Sequence, residues 1–148
     1  VEDVMADIER HTAAGTLDQL PEFFRTRFKS EPGTVDGILC WDVFDYLEKA
    51  AAASLATALT RLLGAEGSLL GFFSTAADPG RAHYTKYIVV DQGNLRERTS
   101  AGTRVRQRSL QNRDIIKLFE SLRVSDSFLM KTNMREIIFR KPAYLAGL

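Results

Sequence analysis

The sequence predicts an α/β domain whose sheet is mostly parallel, with a C-terminal antiparallel hairpin and an inserted β segment. Three observations predict it. Two short apolar runs, residues 35–41 and 68–74, flank an alanine- and leucine-rich stretch of helical period. That strand–helix–strand unit spans about forty residues, the size of a crossover between parallel strands. Near the end, residues 124–131 and 135–140 read as two strands joined at Thr132-Asn133-Met134, a hairpin turn.

Each element follows from local chemistry. Residues 4–14 predict a short helix, with Val4, Ile8 and His11 on one face and Gly15 as the stop. Residues 16–24 predict a second turn or helix, and Ser30-Glu31-Pro32-Gly33 is loop chemistry. The run Val35-Asp36-Gly37-Ile38-Leu39-Cys40-Trp41 is short and apolar after a Pro-Gly loop, so it reads as a buried strand. Asp45 and Glu48, three residues apart, resemble a capping box, which starts the next helix near Tyr46. Its body places Leu55, Leu59, Leu62 and Leu63 in one stripe, and Gly64 supplies a left-handed cap. Both strands of the crossover are nearly all apolar, which implies a sheet covered on both faces. Residues 84–91 alternate as a strand, and residues 94–99 and 105–110 read as two more extended pieces. Asn112 is a good N-cap for a helix over 113–122, with Ile115, Ile116, Phe119 and Leu122 at helical spacing. Residues 143–148 read as a frayed tail.

The 148 residues, 45% apolar and 26% charged, have a globular composition and are enough for one domain with a real core. No apolar run is long enough to span a bilayer, so no membrane association is expected. The opening Val1-Glu2-Asp3-Val4 lacks the basic and apolar regions of a signal peptide, and it lacks an initiator methionine. A lone cysteine, Cys40, has no internal disulfide partner, which fits a cytoplasmic setting. Net charge is +1 but unevenly spread. Residues 1–66 hold 6 Lys/Arg and 12 Asp/Glu, whereas residues 67–148 hold 14 and 7. Between Arg81 and Arg113 there are eight cationic residues and two acids, Asp91 and Glu97. Arg104, Arg106 and Arg108 alternate, so on a strand they would share a face. Such a segment can hold phosphates or nucleic acid, although no aromatic rings interleave with those arginines; a solvated, charge-guarded edge strand is the commoner cause.

Ligands of open α/β sheets collect outside the carboxyl ends of parallel strands. Cys40, Trp41, Asp42 and Phe44 lie at that end of the first strand, and Ser74, Thr75, His83 and Tyr84 follow the second. Trp41 is placed to wall a pocket and Asp42 to orient a ligand. Core packing for Trp41, a helix cap for Asp42 and a buried small apolar role for Cys40 are the structural alternatives. His11 and His83 are far apart, with no ligand at metal spacing, and no Ser-His-Asp order is present.

The order of elements resembles the second half of a class I, Rossmann-like S-adenosylmethionine-dependent methyltransferase. The family's fourth strand, opening on a hydrophobic–Asp pair, is similar to Val35-Asp36-Gly37-Ile38-Leu39-Cys40-Trp41-Asp42. Its Leu-x-Pro-Gly-Gly turn before strand five is matched by Leu63-Gly64-Ala65-Glu66-Gly67, with Ala65 and Glu66 replacing the proline and the first glycine. The terminal hairpin sets this family apart from other doubly wound folds. The resemblance implies S-adenosylmethionine as cofactor, held by Glu2, Asp3, Cys40, Trp41 and Asp42, with Phe44, Ser74 and Tyr84 facing a methyl acceptor that the sequence does not name. Glu2 and Asp3 enter because the opening resembles the end of the family's second strand, where a carboxylate accepts both ribose hydroxyls. The family's first strand and glycine-rich loop have no counterpart here, so residues 1–148 are expected to form one N-terminally truncated methyltransferase-like domain with an insertion at about 76–111. The isolated chain is then expected to bind the cofactor weakly and to be inactive. A non-catalytic module that binds an anionic partner through 81–113 is the second reading.

Overall fold

The computed structural model describes residues 2–75, 83–101 and 110–143. Two helices open the chain, α1 (Glu2–Ala14) and α2 (Leu20–Arg27), followed by strand β1 (Val35–Trp41). A single 3-10 turn (Val43–Tyr46) leads to α3 (Lys49–Leu62), which runs straight into β2 (Leu63–Ser74). A hairpin, β3 (His83–Asp91) and β4 (Asn94–Ala101), comes next. The order closes with α4 (Asn112–Leu118), β5 (Arg123–Leu129) and β6 (Met134–Arg140).

The main sheet has the order β1-β2-β6-β5. β1 and β2 are parallel neighbours, as the crossover predicts. β6 runs antiparallel to β2 on one side and to β5 on the other. The expectation of a mostly parallel sheet is therefore corrected: one of its three pairings is parallel. The reason is local. Among the described residues there is one strand–helix–strand crossover, and the terminal hairpin inserts its second strand against β2.

Among the described residues, helices cover one face of the sheet. Leu69 and Phe73 of β2 and Ile137 and Phe139 of β6 point to one side and are buried. They join Leu55, Leu59 and Leu62 of α3, Ile115 of α4, and Leu20 and Phe24 of α2 in one core. Phe44, Phe73, Phe119 and Phe139 form a chain of ring contacts through it. Each such fully buried ring contributes about 2–3 kcal/mol of transfer free energy. On the other face Leu70, Phe72 and Ile138 are half-buried, and Leu39 on β1 is 51% exposed.

Several local expectations shift for physical reasons. Glu2 and Asp3 lie in α1, not at a strand end. Asp45 and Glu48 do not form a capping box; Glu48 is the N-cap of α3 but makes no side-chain cap bond. Gly64 is not a left-handed cap, because Leu63 is already extended. It is glycine for space: a Cβ there would lie 2.7 Å from the Gly33 carbonyl oxygen. Gln111, not Asn112, caps α4, and Ile116 turns outward while Ile115 is buried. The β5–β6 turn falls at the expected place but starts earlier, after Leu129, and Met134 already opens β6; Asn133 takes a left-handed φ of 57°. The predicted strand at 105–110 and Arg104, Arg106 and Arg108 fall mainly outside the described residues.

Candidate functional site at the carboxyl edge of β1 and β2

β1 and β2 point their carboxyl ends the same way, and the segments leaving them are tied together. Asp45, only 3% exposed in the 3-10 turn after β1, accepts the Ser74 backbone N–H on both carboxylate oxygens, at 3.0 and 3.2 Å. Ser74 ends β2 and is itself buried. The next residue, Thr75, donates its N–H and its hydroxyl to the Asn133 carbonyl, at 2.9 and 2.7 Å. The end of β2 is thus held from both sides, by the loop after β1 and by the β5–β6 turn. Asp42, also 3% exposed, accepts the Asp45 N–H at its carbonyl and starts the same turn.

Trp41 has a φ of 51°, a left-handed conformation that costs a bulky residue about 1–3 kcal/mol. Aromatic contacts offset that strain. Its ring stacks on Tyr87 of β3, with centroids 4.6 Å apart and planes 25° apart, and meets Phe72 of β2 at 5.6 Å. Phe72 and Tyr87 meet edge to face at 5.8 Å. These three rings dock the β3–β4 hairpin at the carboxyl edge of the sheet. Sequence reasoning placed Trp41 here but missed Phe72 and Tyr87. The available signal was alternation: Phe73 faces the core, so Phe72 must face the other way.

The remaining predicted site residues separate. Cys40 points into the core, and burial pushes its thiol up to about 12, so it is no nucleophile near neutral pH. Phe44 is 1% exposed and packs edge to face on Phe119, a core position and not an acceptor contact. Ser74 is at the edge, held through its backbone. Tyr84 lies in β3, and its side chain is outside the described residues, as are those of Glu2 and Asp3. Helix α1 leads to α2 and not into the sheet, so the ribose-binding role expected for Glu2 and Asp3 loses the strand end on which it depended. His11 is structural: its Nδ1 lies 2.9 Å from the Thr16 hydroxyl, and its ring packs on Phe23. A groove of about 590 Å³ between α3 and α4 is lined by Leu47, Ala52, Thr57, Leu110, Lys117 and Leu118, and none of the edge residues reaches it. Among the described residues, no helix is long and apolar enough to cross a membrane.

No family profile and no curated protein sequence matches the chain. Solved structures do. A S-adenosylmethionine-dependent methyltransferase from Methanosarcina mazei superposes with a TM-score of 0.50 at 8% identity, over 78% of this chain and 63% of that one. The likeness is one of fold. The fold is methyltransferase-like, and the chain spans less than two thirds of that structure. Two further structures lie just below that level, both at a TM-score of 0.49. One is 1,6-didemethyltoxoflavin-N1-methyltransferase from Burkholderia thailandensis, with 13% identity over 75% of this chain and 45% of that one. The other is an exported-protein candidate from Bordetella parapertussis, with 14% identity over 77% and 41%.

The described residues do not by themselves fit S-adenosylmethionine. Trp41 lies at the carboxyl edge, and Asp42 is buried in the turn that follows it. Asp45 is engaged with Ser74, Cys40 and Phe44 belong to the core, and among the described residues no strand pairs with the outer edge of β1.

Proposed function

We propose that this chain is the carboxyl-terminal part of a S-adenosylmethionine-dependent methyltransferase, N-terminally truncated relative to the functional fold. In this reading Trp41 and Asp42 form one wall of the donor site, and further polypeptide paired on β1 forms the rest. The order β1-β2-β6-β5, with its parallel first pair and reversed β6, carries the reading. The fold likeness to the Methanosarcina structure supports it. A parallel strand with an exposed Leu39, and with an edge unpaired among the described residues, is a strand built to be covered. Trp41, Phe72 and Tyr87 would exclude water beside the transferred group and present a flat surface to an acceptor. No nucleophile from the protein is required, because methyl transfer is a displacement that rests on positioning.

The test is calorimetric titration with S-adenosylhomocysteine. The 148-residue chain is expected to give no saturable heat, and the chain extended by the polypeptide encoded ahead of Val1 is expected to bind at micromolar concentration. Micromolar binding by the short chain contradicts the incomplete donor site. Absence of binding by the extended chain contradicts the methyltransferase reading.

A further inference from the structure

The β3–β4 hairpin sorts its charges by face. Residues directly opposite in an antiparallel pair share a face, and the register pairs Lys86 with Arg98 and Ile88 with Arg96. The other face carries Thr85 with Thr99, Tyr87 with Glu97, and Val89 with Leu95. Tyr87 packs on Trp41 and Phe72, so its face turns toward the sheet and the Lys86–Arg96–Arg98 face turns away. Those three cations are exposed. Among the described residues none of them pairs with an acid. Glu97 is on the opposite face, and Asp91 is at the turn, where it is engaged with the Gly93 N–H and the Asn94 amide.

This arrangement works against the hairpin. Like charges directly opposite each other destabilise a strand pair, and a two-stranded ribbon has little stability to spare. A partner carrying negative charge at matching intervals removes that penalty. Arg96 and Arg98 lie two residues apart on one strand, a separation of about 6.8 Å. Neighbouring phosphates on one strand of a nucleic-acid duplex are displaced by ~3.4 Å along the axis and further by the winding of the strand, to about 6–7 Å apart in space, so that spacing meets adjacent phosphates. Positions 86, 88, 96 and 98 carry no aromatic ring and Tyr84 alone shares their face in the described register, so a single strand would find few stacking partners there.

We infer that the outward face of the β3–β4 hairpin, through Lys86, Arg96 and Arg98, binds the phosphate backbone of a nucleic-acid duplex. The inference does not depend on methyl transfer. Fluorescence anisotropy of the 148-residue chain with a fluorescein-labelled DNA duplex about 20 base pairs long tests it. Three phosphate contacts predict a log–log salt slope of about −2.7, which is about a 40-fold loss of affinity between ~50 and ~200 mM salt. The triple variant Lys86→Gln/Arg96→Gln/Arg98→Gln is expected to lose that binding while keeping the far-ultraviolet circular dichroism of the parent. The single variant Arg96→Gln, which leaves the cross-strand pair intact, should lower the slope by about 0.9. The inference is overturned if the parent does not bind the duplex at low salt or if the triple variant binds as tightly. It is equally overturned if the chain binds phosphatidylserine vesicles in place of the duplex.

Discussion

Cys40 and Asp45 show how one side chain's surroundings decide its chemistry. Cys40 sits next to the candidate site in sequence, yet its thiol enters the core and burial raises its pKa to about 12. In the unfolded chain it ionises near the ordinary thiol value. The folded state therefore favours the protonated form, and its contribution to stability is fully present below about pH 9 and is lost as pH rises from there toward 12. Two outcomes follow. A disulfide-exchange reagent at mildly alkaline pH should leave Cys40 unmodified in the native chain and modify it promptly in denaturant. Stability should fall by up to about 1.4 kcal/mol per pH unit above that point from this group, a component that Cys40→Ala removes. Fast modification of the native chain would contradict the burial. Asp45 was legible as an acid at a helix start. Its actual partner, the Ser74 N–H, is 29 residues away, and local spacing carries no information about such a bond. The same holds for Trp41: its position at the strand end is plain in the sequence, but its left-handed φ and its stack on Tyr87 arise from a hairpin that packs back from residue 83 onward.

At the level of elements, periodicity was informative wherever one face of an element is buried. The stripe of Leu55, Leu59 and Leu62 located α3, the apolar runs located β1 and β2, and Asn133 located the terminal turn. Boundaries failed where tertiary contacts override propensity, as at Leu63, where helix passes directly into strand without a left-handed residue. That junction is held by a residue to which the sequence reading gave no role. Lys141 follows β6, is buried, and donates its Nζ to the carbonyls of Thr60 and Leu63 at 3.1 and 2.7 Å. Its own backbone pairs with Gly67 and Glu66. It therefore satisfies carbonyls at the end of α3 that would otherwise be left without donors. Lys141→Met keeps the aliphatic stem and removes the donor, and it should cost about 1.5–3 kcal/mol in urea unfolding. An unchanged midpoint would show that those carbonyls find other partners.

At the scale of the whole molecule, the described residues give the sheet one helix-covered face and a second face on which the Trp41, Phe72 and Tyr87 rings pack. The sequence implied a sheet covered on both sides because β1 and β2 are apolar throughout, and that composition is real. On that second face Trp41 and Tyr87 pack on Phe72, whereas Leu39 of β1 stays exposed among the described residues. The methyltransferase-like order of elements along the chain was legible; the place of the terminal hairpin in the sheet, and with it the share of parallel pairing, was not, because a terminal hairpin can insert beside β2 or add outside it with the same sequence pattern. The central claim is that the carboxyl edge of β1 is a donor wall completed by polypeptide on that strand's free side. Trp41 is the sole tryptophan of the chain and lies at that edge, so its emission reports on the edge directly. The deciding measurement is the emission change on adding S-adenosylhomocysteine to the upstream-extended chain, taken as the difference between the parent and its Trp41→Phe variant. A saturable difference signal, absent from the 148-residue chain, is the predicted result; tight binding with no Trp41 difference signal would contradict the placement of the donor at this edge.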